Sequence, residues 1–221
     1  MDALLTLRIV AALVAAYFIG AIPWALIVGK RFYGIDPRTV GSGNLGATNV
    51  FRALGARAGA ATLLLDAAKG AVAVVVAWLL VPEAMYPVAH GWAGVSAMLA
   101  AVMGHSYSPY IGFKGGKGVA TSAGALFVLT PLAALLELLI FIGVVSVSRM
   151  VSLGSIIIAV IYPPLVFWLY PDDTPVQVVV TVLAVLVLWR HRSNMVRIVR
   201  GEENRISWSR KGSATKGKDV S

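Results

Sequence analysis

The sequence predicts an all-α integral membrane protein with seven transmembrane helices. Hydrophobic residues make up 58% of its 221 positions and charged residues only 13%, against about 25% charged in a typical soluble domain. Long apolar stretches recur from end to end with short polar breaks between them. Lipid is therefore expected to be the main solvent. We expect residues 1–206 to form a single polytopic domain and residues 207–221 to form a basic, disordered cytoplasmic tail.

Seven stretches are candidates for the membrane spans. They are residues 3–28, 58–81, 88–104, 118–130, 132–147, 153–170 and 176–190. The first is interpreted as a retained helix, because it is long enough to span and is not followed by a small-residue cleavage pattern. The fourth and fifth are either one long helix or two short ones that turn at Pro131, where a proline interrupts helical hydrogen bonding.

The positions of the basic residues decide between these two topologies, because Lys and Arg are retained on the cytoplasmic side. Apart from Arg8 and Lys69, they lie in four segments: residues 30–57, residues 114–117, Arg149, and residues 190–218. A single crossing would place Lys114 and Arg149 on opposite faces, whereas a turn at Pro131 brings all four segments to one face. We therefore predict seven spans, an external N-terminus, a cytoplasmic C-terminus, and short re-entrant or broken helices near the cytoplasmic loops.

The first polar segment follows the first span and combines glycines with hydroxyl, amide and guanidinium groups. It reads Gly-Ser-Gly-Asn-Leu-Gly-Ala-Thr-Asn over residues 41–49 and is followed by Arg52. Glycines let backbone N–H groups approach an oxyanion, Ser42 and Thr48 can donate hydroxyls, and Arg52 can make a bidentate contact with phosphate. The segment predicts an anion-binding loop; the alternative is a flexible turn with a helix cap.

The second polar segment, residues 104–121, places two lysines among glycines immediately before a helix. Backbone N–H groups and the dipole at a helix N-terminus favour an anion. It is not a nucleotide-binding P-loop, because Lys117 is followed by Gly118 rather than Ser or Thr, and no β-strand is evident. His105 is a candidate general base; the alternative is a histidine that orients a substrate by hydrogen bonding.

Other polar groups have two interpretations each. In the second span, Asp66 and Lys69 are spaced i, i+3, which suits either a structural ion pair or a lysine that contacts substrate. Residues 149–155 supply a guanidinium and two hydroxyls, or only a positive-inside anchor with a helix cap. Residues 190–203 supply a polar helical face, or only a basic helix that binds lipid phosphates. Glu137, in an apolar helix, has no assigned role.

Composition narrows the partners and cofactors. The excess of 19 Lys+Arg over 10 Asp+Glu is better explained by orientation in a membrane than by a nucleic-acid partner. The chain has no cysteine, which excludes disulfides, thiolate catalysis and cysteine metal sites, and its three histidines are scattered. No metal and no cofactor are expected.

Five motifs together resemble the bacterial acyl-phosphate:glycerol-3-phosphate acyltransferase family, PlsY. They are GSGNLGATN at 41–49, DAAKG at 66–70, GHSYSPYIGFKGGKGVAT at 104–121, RMVSLGS at 149–155 and RHRSNMVRIVRGEE at 190–203, all in family order. The resemblance extends to about Ile206. It implies seven spans in the bacterial inner membrane and transfer of an acyl chain from a long-chain acyl phosphate to the 1-hydroxyl of sn-glycerol 3-phosphate. The products are 1-acylglycerol 3-phosphate and phosphate, and this is the first step of phospholipid synthesis.

The resemblance also implies the site residues and partners. The expected catalytic residues are Ser42, Arg52, His105, Lys114 and Asn194. The expected substrate- and phosphate-binding residues are Asn44, Gly46, Thr48, Asn49, Lys69, Gly115, Gly116, Lys117, Thr121, Arg149, Ser152, His191 and Glu203. The expected partners are glycerol 3-phosphate, a long-chain acyl phosphate and membrane lipids, and the protein is expected to function as a monomer.

The motifs contain no serine–histidine–carboxylate set and no cysteine nucleophile, so we expect direct attack by the glycerol hydroxyl without an acyl-enzyme. The main alternative outside the enzymes is a transporter of a phosphate ester or lysolipid, because broken helices and anion-binding helix ends also occur in carriers. A carrier needs binding groups near the midplane, whereas these polar groups lie at one interface. The enzyme interpretation is therefore preferred.

Overall fold

The computed structural model describes residues 2–206, which fold into ten α-helices with no β-strand among them. The helices are α1 (Ala3–Ala21), α2 (Trp24–Tyr33), α3 (Ala47–Leu54), α4 (Ala56–Leu80), α5 (Pro87–Ser106), α6 (Val119–Leu129), α7 (Pro131–Ser148), α8 (Val151–Leu169), α9 (Thr174–Arg190) and α10 (Arg192–Val199). A 3-10 turn at Pro109–Ile111 precedes the loop that leads to α6. The predicted tail, residues 207–221, lies outside the described residues.

The all-helical membrane architecture is confirmed, and a helix is present at each predicted span. Four segments are long and apolar enough to cross a membrane: Ala3–Tyr33, α4, α7 and α8. The pair α9 and α10, bent by 56°, makes a fifth if it counts as one span. Helix α6 has only 11 residues, about 16 Å of helix against a hydrocarbon core of about 30 Å. The total of seven spans and the orientation of the termini stay predictions.

The turn predicted at Pro131 is present. Helix α6 ends at Leu129 and α7 begins at Pro131, a first-turn position where a missing N–H is tolerated. Gly118, before α6, and Val151, after α7, line the same cavity. The two helices therefore run away from one end of the bundle and back to it, as the basic residues indicated.

The N-terminus and the turn after α4 meet at the opposite end of the bundle from this cavity. The Arg8 guanidinium donates to the Leu80 carbonyl at 3.2 Å, and the Tyr86 hydroxyl donates to Asp2 at 3.2 Å. Arg8 is one of the two basic residues outside the four basic segments. It thus provides a hydrogen-bond donor to a backbone carbonyl at the end of α4.

Small residues bring α4 and α6 into backbone contact beside the cavity. A Cβ at Gly70 would lie 1.9 Å from the Thr121 carbonyl oxygen, and a Cβ at Gly124 would lie 1.9 Å from the Ala67 carbonyl oxygen. Such close approach requires glycine, as in other membrane helix pairs. It holds α4, which carries Asp66, against the start of α6, which follows Lys117.

Candidate active site

One cavity of about 540 Å³ collects side chains from all five motifs. Polar groups line the end formed by the loops and helix ends: Ser42, Asn44, Gly46, Thr48, Asn49, Arg52, Asp66, His105, Lys117, Ser152, His191, Ser193, Asn194, Arg197, Glu203 and Asn204. Apolar groups of α4, α6, α7 and α8 line the remainder, including Leu63, Ala123, Phe127, Ala134, Leu138, Phe141 and Ile158. The cavity thus joins a charged polar end to an apolar arm.

The glycine-rich loop at residues 41–49 is held in shape by Asn49. Its Oδ1 accepts from the backbone N–H of Ser42 at 2.8 Å and from the Ser42 hydroxyl at 3.2 Å, while its Nδ2 donates to the carbonyls of Pro37 and Val40 at 2.9 and 3.2 Å. Gly41 has a φ of 59°, a backbone conformation that favours glycine. Asn49 therefore holds the shape of the loop through both the oxygen and the nitrogen of its amide, while Ser42 and Thr48 of the same loop line the cavity.

The carboxylate of Glu203 joins residues from two motifs, and Asn194 links a third motif to them. Its Oε1 accepts from Asn194 Nδ2 and from the Ser152 hydroxyl, both at 2.9 Å, and its Oε2 accepts from Arg197 Nε at 2.9 Å. Lys117 in turn donates to Asn194 Oδ1. Burial raises the pKa of Glu203, but the three hydrogen bonds and the positive charge of Arg197 together outweigh burial, and the pKa lies below its usual value. Glu203 is therefore ionised at neutral pH and orients the groups around it.

Arg52 and Lys117 provide positive charge at the polar end. The Arg52 guanidinium donates to the Asn204 carbonyl at 3.0 Å, which uses one of its five N–H groups. Burial is the main cause that lowers the pKa of Lys117 to about 8, and repulsion from Arg197 and Arg190 adds to it. At neutral pH both side chains are charged, so this end attracts anions.

A buried cluster lies beside the polar end. Lys69 Nζ is 2.8 Å from Asp66 Oδ1 and 2.9 Å from His105 Nδ1, and it donates to the Ile22 carbonyl at 2.9 Å. Asp66 and His105 line the cavity, whereas Lys69 lies behind them. Of the two interpretations of Asp66 and Lys69, the structure has the ion pair.

Several predicted site residues do not line the cavity. They are Lys69, Lys114, Gly115, Gly116, Thr121 and Arg149. Gly115 and Gly116 make room for His105, because a Cβ would lie 1.9 Å from its carbonyl oxygen or 2.1 Å from its Nε2. Lys114 and Arg149 are exposed, and Arg149 caps α7 in a left-handed conformation. Direct contact of these residues with substrate stays a prediction.

Some lining residues were not predicted. Arg197 lies three positions after Asn194 on α10, a spacing that places two side chains on one helical face and that was available from the sequence. Asn204 contributes a backbone carbonyl to Arg52, for which no side-chain pattern exists. Glu137, left unassigned, lies on the wall of the apolar arm.

The sequence is similar to known proteins over most of its length. The family model described as glycerol-3-phosphate acyltransferase matches residues 10–201. A glycerol-3-phosphate acyltransferase of Listeria monocytogenes is 40% identical over 204 residues, covering 92% of this chain and 100% of that protein. One of Trichlorobacter lovleyi is 42% identical over 192 residues, covering 86% of this chain and 94% of that protein.

Two solved structures are similar over nearly the whole fold. The glycerol 3-phosphate form of PlsY (YgiH), described as an integral membrane glycerol 3-phosphate acyltransferase, superposes with a TM-score of 0.80 at 36% identity and covers 90% of this chain and 96% of that one. The lysophosphatidic acid form superposes with a TM-score of 0.79 at 35% identity and covers 90% and 95%.

Proposed function

Because the chain belongs to the glycerol-3-phosphate acyltransferase family, PlsY, we propose that its acyl donor is a long-chain acyl phosphate. The enzyme transfers the acyl chain to the 1-hydroxyl of sn-glycerol 3-phosphate, giving 1-acyl-sn-glycerol 3-phosphate and inorganic phosphate. The observation that carries the proposal is the cavity itself, which joins a cationic polar end to an apolar arm.

The polar end suits two phosphate groups. Arg52 and Lys117 supply charge, and Ser42, Thr48 and the glycine-rich backbone supply hydrogen-bond donors. Two dianions repel each other, so they approach only where cations and donors hold both. Alignment of the hydroxyl with the acyl carbon then supplies much of the rate.

The apolar arm suits an acyl chain that stays in contact with lipid. Leu63, Phe127 and Leu138 line the cavity and are nevertheless 49%, 40% and 40% exposed, so the arm is open on the lipid-facing side of the bundle. A donor with a long chain can enter there without leaving the bilayer, while the soluble acceptor reaches the polar end.

The mechanism we propose is direct attack. The glycerol hydroxyl oxygen forms a bond to the acyl carbon, the bond from that carbon to the phosphate oxygen breaks, and phosphate leaves with the electron pair and accepts the hydroxyl proton. Asp66 lies 3.6 Å from His105, which resembles part of a hydrolase triad. Among residues 2–206, however, no serine or threonine hydroxyl is hydrogen-bonded to His105, and the chain has no cysteine.

We place the polar end at the cytoplasmic face of the bacterial inner membrane, because the basic segments meet there. A functional monomer is consistent with a cavity built by one chain.

One assay tests the donor: purified protein in lipid vesicles should release phosphate from palmitoyl phosphate when glycerol 3-phosphate is added. Palmitoyl-CoA in place of the acyl phosphate should give no acylated product. Activity with the CoA ester alone would refute the proposed donor.

Filling the apolar arm should change the preference for chain length. Ala123 on α6 faces the arm, and Ala123→Phe is expected to lower activity with palmitoyl phosphate at least tenfold relative to butyryl phosphate, because the six added carbon atoms of the larger side chain obstruct the longer chain. The measurement is kcat/KM for donors of graded length. Leu139→Phe, at a 57% exposed position of α7, is the control. Equal loss for short and long donors would argue against this placement of the chain.

The charge on Lys117 should appear in the pH dependence. Its pKa is lowered to about 8, so raising the pH through that value removes the ammonium and weakens phosphate binding; the contribution is present below about pH 8 and lost above it. The KM for glycerol 3-phosphate is expected to rise over this range. In Lys117→Arg the side chain stays charged, and the rise should disappear. An unchanged rise in that variant would assign it to another group.

A further inference from the structure

Lys69, Asp66 and His105 form a cluster in which the lysine contacts one ring nitrogen of the histidine. All three side chains are buried, and Lys69 Nζ lies 2.9 Å from His105 Nδ1 and 2.9 Å from the Ile22 carbonyl oxygen. The contact of Nζ with Asp66 Oδ1, at 2.8 Å, is an ion pair without the direction of a hydrogen bond. The Asp66 carboxylate thus stabilises the positive charge of the Lys69 ammonium group. Two of the ammonium N–H groups are directed at the Ile22 carbonyl oxygen and at His105 Nδ1.

An ammonium group has three donors and no lone pair, so it cannot accept a hydrogen bond. His105 Nδ1 must therefore be the acceptor in its contact with Lys69. A neutral imidazole carries one donor and one acceptor nitrogen, which leaves the proton on Nε2. We propose that Lys69 and Asp66 are positioning residues that hold His105 as the neutral Nε2–H tautomer, so that His105 donates a hydrogen bond to substrate and does not act as a general base.

The surroundings of the ring agree with this assignment. Asp66 is the other group that could accept from Nδ1, but its Oδ1 is 3.6 Å away, beyond hydrogen-bonding distance. On the other side of the ring, Gly116 leaves Nε2 free of a side chain, since a Cβ there would lie 2.1 Å from it. The Nε2–H group is therefore the part of His105 that is available to an oxygen in the cavity.

What receives this hydrogen bond rests on the proposed function. In acyl transfer the acceptor is an oxygen of the phosphate or of the acyl carbonyl, where negative charge increases as the hydroxyl attacks. A neutral donor stabilises that charge and leaves the hydroxyl proton to the departing phosphate. The position of the proton itself is a property of the free protein and is tested without substrate.

The first test is ¹⁵N NMR of histidine-labelled full-length protein in lipid near neutral pH. The chain has three histidines, and the spectrum of His105→Gln identifies the His105 signals. We expect Nε2 protonated and Nδ1 unprotonated. In Lys69→Met, Asp66 becomes the nearest acceptor for Nδ1, so the proton is expected to move to Nδ1. A wild-type Nδ1–H tautomer or an imidazolium would overturn the proposal. Should Lys69→Met fail to fold, Asp66→Asn/Lys69→Met removes both charges, and loss of the single tautomer is expected there.

The second test compares two substitutions of the same histidine. Gln keeps an N–H donor of similar reach, whereas Leu has none. We expect His105→Leu to lower kcat about 100-fold, the effect of removing one donor to a developing oxyanion, and His105→Gln to lower it about tenfold or less. Equal loss in both variants would indicate a base. Lys30→Met is the matched control, because it removes a lysine from a surface ion pair with Asp36 and should change neither the tautomer nor kcat. Absence of acyl transfer in the wild type, with the Nε2–H signal present, would refute the proposed function and leave the tautomer standing.

Discussion

Replacing Arg52 with alanine is expected to lower kcat/KM for glycerol 3-phosphate by about 100- to 1,000-fold, the range found when one hydrogen-bond donor to developing negative charge is lost. The guanidinium faces the cavity, and among residues 2–206 its hydrogen bond is to the Asn204 carbonyl. We expect its other N–H groups to bind phosphate oxygens. Steady-state kinetics in lipid vesicles, with each substrate varied in turn, measures the loss.

Two further variants show what Arg52 supplies. Arg52→Lys keeps the charge without the planar fork of donors, so it should recover part of the activity. Arg57→Ala removes an exposed arginine close in sequence that does not line the cavity, and it should leave the kinetics near those of the wild type. Nearly normal activity of Arg52→Ala would refute the proposal that this residue holds a phosphate.

Removing the Glu203 carboxylate is expected to lower kcat by about 100-fold, the cost of misplacing reacting groups by about 1 Å. Asn194, Ser152 and Arg197 lose their shared acceptor in Glu203→Ala. The site also becomes more positive, so the KM for glycerol 3-phosphate should rise little or fall. This combination of a lower kcat with an unchanged KM separates an orienting carboxylate from a group that binds substrate.

The adjacent acid provides the control for Glu203. Glu202 is exposed, and in the described residues its side chain has no hydrogen bond or ion pair. Glu202→Ala should therefore behave as the wild type. A tenfold or greater rise in KM in Glu203→Ala, with kcat unchanged, would contradict the orienting role.

Much of the architecture follows from local chemistry. The turn at Pro131 was predictable because two independent signals, the proline and the side of the membrane assigned to basic residues, agree. The grouping of the polar motifs at one end follows from the same distribution. The number of crossings is harder to predict, because an 11-residue helix such as α6 can be stabilised by close packing on α4 rather than by its own length.

Individual roles within the site were less predictable, because they depend on neighbours distant in the chain. Lys114 and Lys117 lie in the same glycine-rich loop, yet Lys117 faces the cavity and Lys114 is exposed. The difference between the two lysines depends on the folded conformation of the loop, including the left-handed conformation of Gly118 before α6, and this conformation is not visible in the sequence. Asn49 looks like a phosphate ligand in sequence, but its amide is directed at backbone groups of its own loop.

The lipid-facing opening of the apolar arm has a consequence for kinetics. Moving an alkyl chain from bilayer to water costs about 0.8 kcal/mol for each CH₂ group, so desorption of a long-chain donor would be prohibitively slow. A donor that enters beside Leu63 and Phe127 avoids this step. For the proposed donor, the concentration that governs the rate is then expected to be the number of donor molecules per unit area of membrane, so that activity should follow the composition of the bilayer around the enzyme rather than the total amount of donor in the cell.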